Sequence, residues 1–104
     1  MYARVTLLEI DPLRTNVEAA LETFEDAVLP QLREQEGYQG VVVLATPEGR
    51  GLLMSLWETE EASETARGFA TEQLEKYMTL FKAPPGREHY RVAFADLPAL
   101  VVES

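Results

Sequence analysis

Val41-Val42-Val43-Leu44-Ala45, Thr46-Pro47-Glu48-Gly49-Arg50-Gly51 and Leu52-Leu53-Met54-Ser55-Leu56-Trp57 follow one another without interruption. Two runs of apolar, strand-forming residues flank a segment of turn chemistry, in which Pro47 presets the bend and the glycines let the backbone reverse. The stretch reads as an antiparallel β-hairpin. A sheet with one wet face alternates apolar and polar residues along each strand. Positions 41 to 45 do not alternate, and Ser55 is the lone polar residue from 52 to 57. Both faces of the hairpin are therefore expected to be covered.

Upstream, Tyr2-Ala3-Arg4-Val5-Thr6-Leu7-Leu8-Glu9 predicts a first strand, and Asp11-Pro12 a turn. Thr15-Asn16-Val17-Glu18 has capping-box spacing, with Thr15 expected to accept from the Glu18 amide. Val17, Leu21, Phe24, Val28 and Leu32 then recur at helical spacing, with Glu22, Glu25 and Asp26 turned to water. Pro30 lacks an amide proton and would clash with the carbonyl of residue 26, which predicts a kink. Gly37 is the expected left-handed C′ residue.

Downstream, Thr59 is placed to cap a second helix, with Glu60 and Glu61 against its positive end. Ala62, Ala66, Phe69, Ala70, Gln73, Leu74, Tyr77, Met78 and Phe81 form its inner stripe, and Pro84-Pro85-Gly86 stops it. Arg87 to Phe94 predicts a fourth strand, and Ala99 to Val102 a short fifth one. The order is β-α-β-β-α-β, an α+β ferredoxin-like fold with a four-stranded antiparallel sheet and two helices on one face. Two helices leave the other face apolar and open, so a homodimer with the sheets face to face is expected. Arg4, His89 and Arg91 interrupt strands one and four with polar groups.

Residues 1–104 make a single domain, with 46% apolar and 26% charged residues. Eighteen acidic against nine basic residues leave a net charge of −9, which argues against nucleic acid and anionic membrane as partners. The absence of cysteine excludes disulfides, thiolate catalysis and zinc ribbons. Glu9, Asp11 and Glu18 break up the first twenty residues, so no signal peptide is expected and a cytoplasmic location is. No stretch reaches the ~20 apolar residues of a membrane span. Glu58, Glu60, Glu61 and Glu64 suit the helix dipole and solvent better than a metal, and no metal site is expected.

The segment Leu29-Pro30-Gln31-Leu32-Arg33-Glu34-Gln35-Glu36-Gly37-Tyr38-Gln39-Gly40, with Gly49-Arg50-Gly51-Leu52 and Leu56-Trp57-Glu58-Thr59-Glu60-Glu61-Ala62, resembles the antibiotic biosynthesis monooxygenase family. The resemblance spans nearly the whole chain and implies a dimeric α+β barrel with a pocket in each subunit between helices and sheet. It implies oxidation of a small aromatic or polyketide-like molecule by molecular oxygen, with no cofactor. Haem-degrading members use an Asn on strand one and a Trp and a His in helix two. Strand one here carries Arg4 and Thr6, and helix two has neither Trp nor His. The Trp that ends strand three in quinone-forming members is matched by Trp57, while their preceding Asn falls near Leu53.

Candidate catalytic residues are His89, Trp57 and Arg91. Histidine is the residue type that normally titrates near neutrality and could take a phenolic proton. Arginine could stabilise the oxyanion or peroxide formed next. An indole can stack on a flat ligand. Arg4, Phe69, Tyr77, Met78 and Phe81 are candidate substrate-binding residues. Each has a structural alternative: a strand histidine at an interface, a Trp anchoring the core, an aromatic stripe that only packs. The functional alternative is correspondingly a non-catalytic dimeric barrel that binds a small apolar ligand.

Overall fold

The computed structural model describes residues 1–82 and 86–98. Its elements are β1 (Tyr2–Glu9), α1 (Val17–Thr23), α2 (Leu29–Arg33), β2 (Tyr38–Ala45), β3 (Arg50–Trp57), α3 (Glu60–Lys76) and β4 (Gly86–Arg91). The hairpin closes as its turn chemistry requires. The Thr46 amide donates to the Arg50 carbonyl at 2.8 Å and the Gly49 amide to the Thr46 carbonyl at 3.0 Å. Gly49 has φ +96°, which a side chain would strain. The four antiparallel strands lie in the order β2-β3-β1-β4, the ferredoxin-like topology.

Register sorts the side chains into two faces. Val41, Ser55, Arg4 and His89 form one cross-strand row, and Val43, Leu53, Thr6 and Arg87 the next. These rows look toward the helices. The intervening rows are Val42, Met54, Val5, Glu88 and Leu44, Leu52, Leu7, Gly86. They form the opposite face, on which Leu7, Leu44 and Tyr90 are each more than half exposed. The polar interruptions Arg4, His89 and Arg91 thus share the helix-side parity, and they leave the open face apolar apart from charged residues such as Glu88, Glu9 and Arg50.

The first helix departs from its expected form in three places. Its cap is Asn16, whose Oδ1 accepts from the Ala19 amide at 2.8 Å, so the Thr15–Glu18 capping box does not form. Asn16 is in the extended conformation that a cap needs, and Thr15 lies one residue outside it. The helix does not simply kink at Pro30. It widens to π geometry over Phe24–Val28 and restarts with Pro30 in the first turn of α2, where a missing amide proton costs nothing. The Leu29 amide reaches back to the Phe24 carbonyl, so the widened turn absorbs the clash before the proline. Finally, α2 ends at Arg33, ahead of Gly37. Gly37 keeps its left-handed φ of +80°, but in the turn that enters β2.

α3 begins as expected, with Thr59 Oγ1 accepting from the Ala62 amide at 3.1 Å. It ends at Lys76 and gives way to a 3₁₀ turn over Met78–Leu80, before the prolines are reached. Phe81 bridges Ile10, and the Asp11 amide bonds the Leu80 carbonyl at 2.8 Å. β4 stops at Arg91, so the expected run to Phe94 is shorter than predicted. Pro84, Pro85 and the fifth strand expected at 99–102 lie outside the described residues. Leu32, Trp57 and Ala66 form the buried core, packed by Phe24, Leu29, Tyr38, Val41, Ala62 and Phe69. No helix among the described residues is long and apolar enough to cross a membrane.

Candidate active site

A cavity of about 200 Å³ lies between the helices and the sheet. The sheet supplies Arg4, Thr6 and Leu8 from β1, Leu53, Ser55 and Trp57 from β3, and Arg87 from β4. The helices cover it with Phe24, Val28 and Leu32 on one side and Phe69, Gln73 and Tyr77 on the other. Residues two apart on a strand share a face, and residues three or four apart share a helix stripe, so local periodicity aims all of these inward. Apart from a few polar groups, the wall is aliphatic and aromatic, as a site for a flat organic molecule requires.

Trp57 lines this space and is 1% exposed. Its indole N–H donates to Ser55 Oγ at 2.9 Å, and Tyr38 meets it edge-on with ring centroids 5.9 Å apart. The indole donor is therefore already satisfied and the ring belongs to the buried core, so Trp57 shapes the cavity wall rather than donating to a ligand. Burial pushes the Tyr38 hydroxyl above its ordinary pKa, against the opposing pull of Arg33.

Arg4 donates from its guanidinium to the Ser63 carbonyl oxygen at 3.2 Å. Burial first, then the positive charges of Arg87 and Arg67, lower its pKa from the ordinary arginine value, with Glu64 opposing. Arg87 sits in the next cross-strand row of the same face. Among the described residues neither arginine makes a salt bridge, since the ion pairs present are Arg14–Asp11 and His89–Glu64. A chain of net charge −9 therefore places two arginines without a salt bridge on the wall of its cavity, the half-buried Arg4 with Glu64 nearby and the exposed Arg87 beside Glu88. Fixed positive charge in a largely apolar space favours an anion or a developing oxyanion.

The structure brings together Trp57, Arg4, Phe69, Tyr77 and Phe81 from the residues singled out in the sequence. His89, Arg91 and Met78 stand off the wall. His89 neighbours Arg4 across the β1–β4 pairing, but its Nδ1 lies 3.7 Å from Glu64 Oε1 and its ring stacks on Tyr2. Arg91 pairs opposite Tyr2 at the exposed end of β4. Met78 is half exposed because α3 has already given way to the 3₁₀ turn, which breaks the helical spacing that would have turned it inward.

Sequence reasoning did not single out Arg87 for the cavity wall, and it read Gln73 only as part of the α3 stripe. The signal for Arg87 was its parity: residues 87, 89 and 91 share a face, and the member near the start of β4, opposite Thr6, lines the cavity rather than the one opposite Tyr2. Among the described residues there is no cluster of three or more His, Asp or Glu side chains suited to a metal.

No family model and no curated protein sequence matches the chain. Solved structures do. A protein of unknown function from Nitrosomonas europaea is 24% identical with a TM-score of 0.73, covering 94% of each chain. A monooxygenase from the ActVA-Orf6 gene of Streptomyces coelicolor, in complex with nanaomycin D, is 22% identical with a TM-score of 0.73, covering 94% of this chain and 92% of that one. A structure from Deinococcus radiodurans carrying the antibiotic biosynthesis monooxygenase name is 15% identical with a TM-score of 0.70, covering 100% of both. The chain has the fold of proteins that bear this family name, as the sequence resemblance implied.

Proposed function

We propose that this protein is a cofactor-independent monooxygenase acting on a small aromatic or polyketide-like phenol held between the sheet and the helices. The observation that carries the reading is the cavity itself: a largely apolar, aromatic-walled space of about 200 Å³ with two arginines on its sheet side that make no salt bridge among the described residues. The shared fold with a monooxygenase that binds nanaomycin D supports it.

In the proposed reaction the phenol gives up its hydroxyl proton, and the resulting electron-rich ring passes one electron to molecular oxygen. The superoxide and the ring radical combine at a ring carbon, forming a C–O bond. Loss of that carbon's hydrogen as a proton and cleavage of the O–O bond then leave a quinone carbonyl and release the distal oxygen as water. One oxygen molecule is consumed per phenol, with no external reductant. Arg4 and Arg87 stabilise the phenolate and the peroxide oxygens. The role first assigned to Arg91 passes to Arg87, two residues earlier on the same face. Phe69 and Tyr77 line the space that takes the ring system, and Trp57 backs it from the core. His89, in the same cross-strand row as Arg4 and backed by Glu64, is the proposed proton acceptor at the edge of the site.

The apolar face carrying Val42, Leu44, Met54 and Leu7 is proposed to pack on the same face of a second copy, forming the dimeric barrel. Exposed Leu44, Leu7 and Tyr90, with the half-buried Val42, Leu52, Met54 and Val5 on the same face, favour an isologous sheet-on-sheet interface.

An oxygen electrode with a panel of naphthols and anthrone-type phenols tests the enzymatic reading. Uptake that falls at least tenfold in Arg87→Gln and in Trp57→Phe supports it. Tight binding of these phenols without oxygen uptake overturns it in favour of a binding module.

A further inference from the structure

Gln73 sits in the middle of the apolar stripe of α3, is 7% exposed and forms part of the cavity wall. Its Oε1 has no hydrogen-bond partner among the described residues. An unmet buried acceptor is destabilising, and an apolar side chain of the same shape would avoid that cost. Ser63 Oγ is the other orphan, but it lies off the cavity wall. Gln73 is thus the unsatisfied group a bound molecule could reach. The terminal amide torsion of glutamine is soft, so the oxygen can turn into the cavity without leaving a rotamer well.

The position of Gln73 relative to the arginines adds a direction. β1 and α3 run side by side in the same sense, since Arg4 bonds Ser63 near their starts and Ile10 bridges Phe81 beyond the end of α3. The helix rises about 15 Å from Ser63 to Gln73. Arg4 and the orphan amide therefore mark different stations along the cavity wall, with aromatic and aliphatic residues between them.

We propose that the cavity takes an elongated, mostly apolar molecule with an anionic oxygen at one end and a hydroxyl toward the other, and that Gln73 reads the hydroxyl. This deepens the phenol-oxidation reading, on which it rests for the use of the cavity. It narrows the substrate class to molecules oxygenated at both ends.

Fluorescence titration with three naphthalene probes separates the parts of this proposal: a hydroxynaphthoate with carboxylate and hydroxyl at opposite ends, a naphthoate without the hydroxyl, and a naphthol without the carboxylate. The wild-type protein is expected to bind the hydroxynaphthoate at least tenfold more tightly than either of the others. Gln73→Met should abolish the preference over the naphthoate while leaving naphthoate affinity within about twofold. It should also raise the thermal midpoint of the unliganded protein, because the orphaned oxygen is gone. Gln73→Leu serves as a second variant if the longer side chain fills the space. Binding of none of the probes, equal binding of the hydroxynaphthoate and the naphthoate, or a preference that survives in both variants overturns the proposal. Oxygen uptake does not enter the readout, so its failure leaves this test intact.

Discussion

Arg4 of β1 reaches across to the Ser63 carbonyl at the start of α3, 3.2 Å away, and so fixes a cation between sheet and helix. The hydrogen bond orients the guanidinium while leaving several of its five donors unassigned, and the Arg87 charge nearby adds to the positive field. Arg4→Met keeps the alkyl stem and removes the charge. Turnover of an accepted phenol is expected to fall by roughly a hundredfold, the magnitude typical of a lost oxyanion donor. Folding stability should change by no more than about 1–3 kcal/mol, the worth of one hydrogen bond to a charged group. Steady-state oxygen uptake and urea denaturation check the two separately.

Trp57 joins the core to the cavity, and its substitutions divide accordingly. Trp57→Ala removes the largest fully buried side chain and is expected to cost about 3–5 kcal/mol. Trp57→Phe keeps most of the packing but strands Ser55 Oγ, so a loss of about 1–3 kcal/mol is expected, with Ser55→Ala in the same chain restoring part of it. Thermal unfolding of the two single variants and the double variant measures this. Because Trp57 is the one tryptophan in the chain, its emission should also respond to any ligand that enters the cavity.

Gly37 holds the entry to β2 against α3. Its φ is +80°, and a Cβ there would come 2.5 Å from Ala62 Cβ. Gly37→Ala therefore meets both backbone strain and a clash, and should destabilise the fold by about 1–3 kcal/mol. Ala62→Gly in the same chain relieves the clash and leaves the strain, so it should recover only part of the loss. Equal stability of Gly37→Ala and wild type would contradict the close approach.

Much of this architecture was legible because local chemistry dictates it. The hairpin from Val41 to Trp57, the Thr59 cap and the order of elements follow from apolar runs, turn residues and caps that act within a few positions. The cap of the first helix moved from Thr15 to Asn16 because adjacent capping residues compete within one turn. The π segment at Phe24–Val28 was not legible, since Phe24, Val28 and Leu32 keep a helical stripe in either geometry. At the site, Trp57 and the aromatics of α3 could be read from periodicity. Arg87, His89 and Arg91 differ only in how far along the sheet each one sits, which pairing register decides and single-strand pattern does not.

The open sheet face makes the assembly testable. Val42 and Leu44 share its parity, and Leu44 is 58% exposed in the single chain. An aspartate at either position is tolerated in an isolated subunit but would be buried unpaired in a face-to-face dimer, at a cost of about 3–5 kcal/mol. Sedimentation velocity should show a wild-type dimer and a dissociation constant raised at least a hundredfold in Val42→Asp and in Leu44→Asp. Unchanged association in both variants would remove the face-to-face arrangement.

The most direct test of the account is turnover of an accepted phenol under isotopically heavy oxygen gas, with the product read by mass spectrometry. A quinone carrying one heavy oxygen atom, formed with one oxygen molecule consumed and no added cofactor, and lost in Arg4→Met and Arg87→Gln, is the predicted result. A product without heavy oxygen, or equal incorporation in the arginine variants, would contradict it.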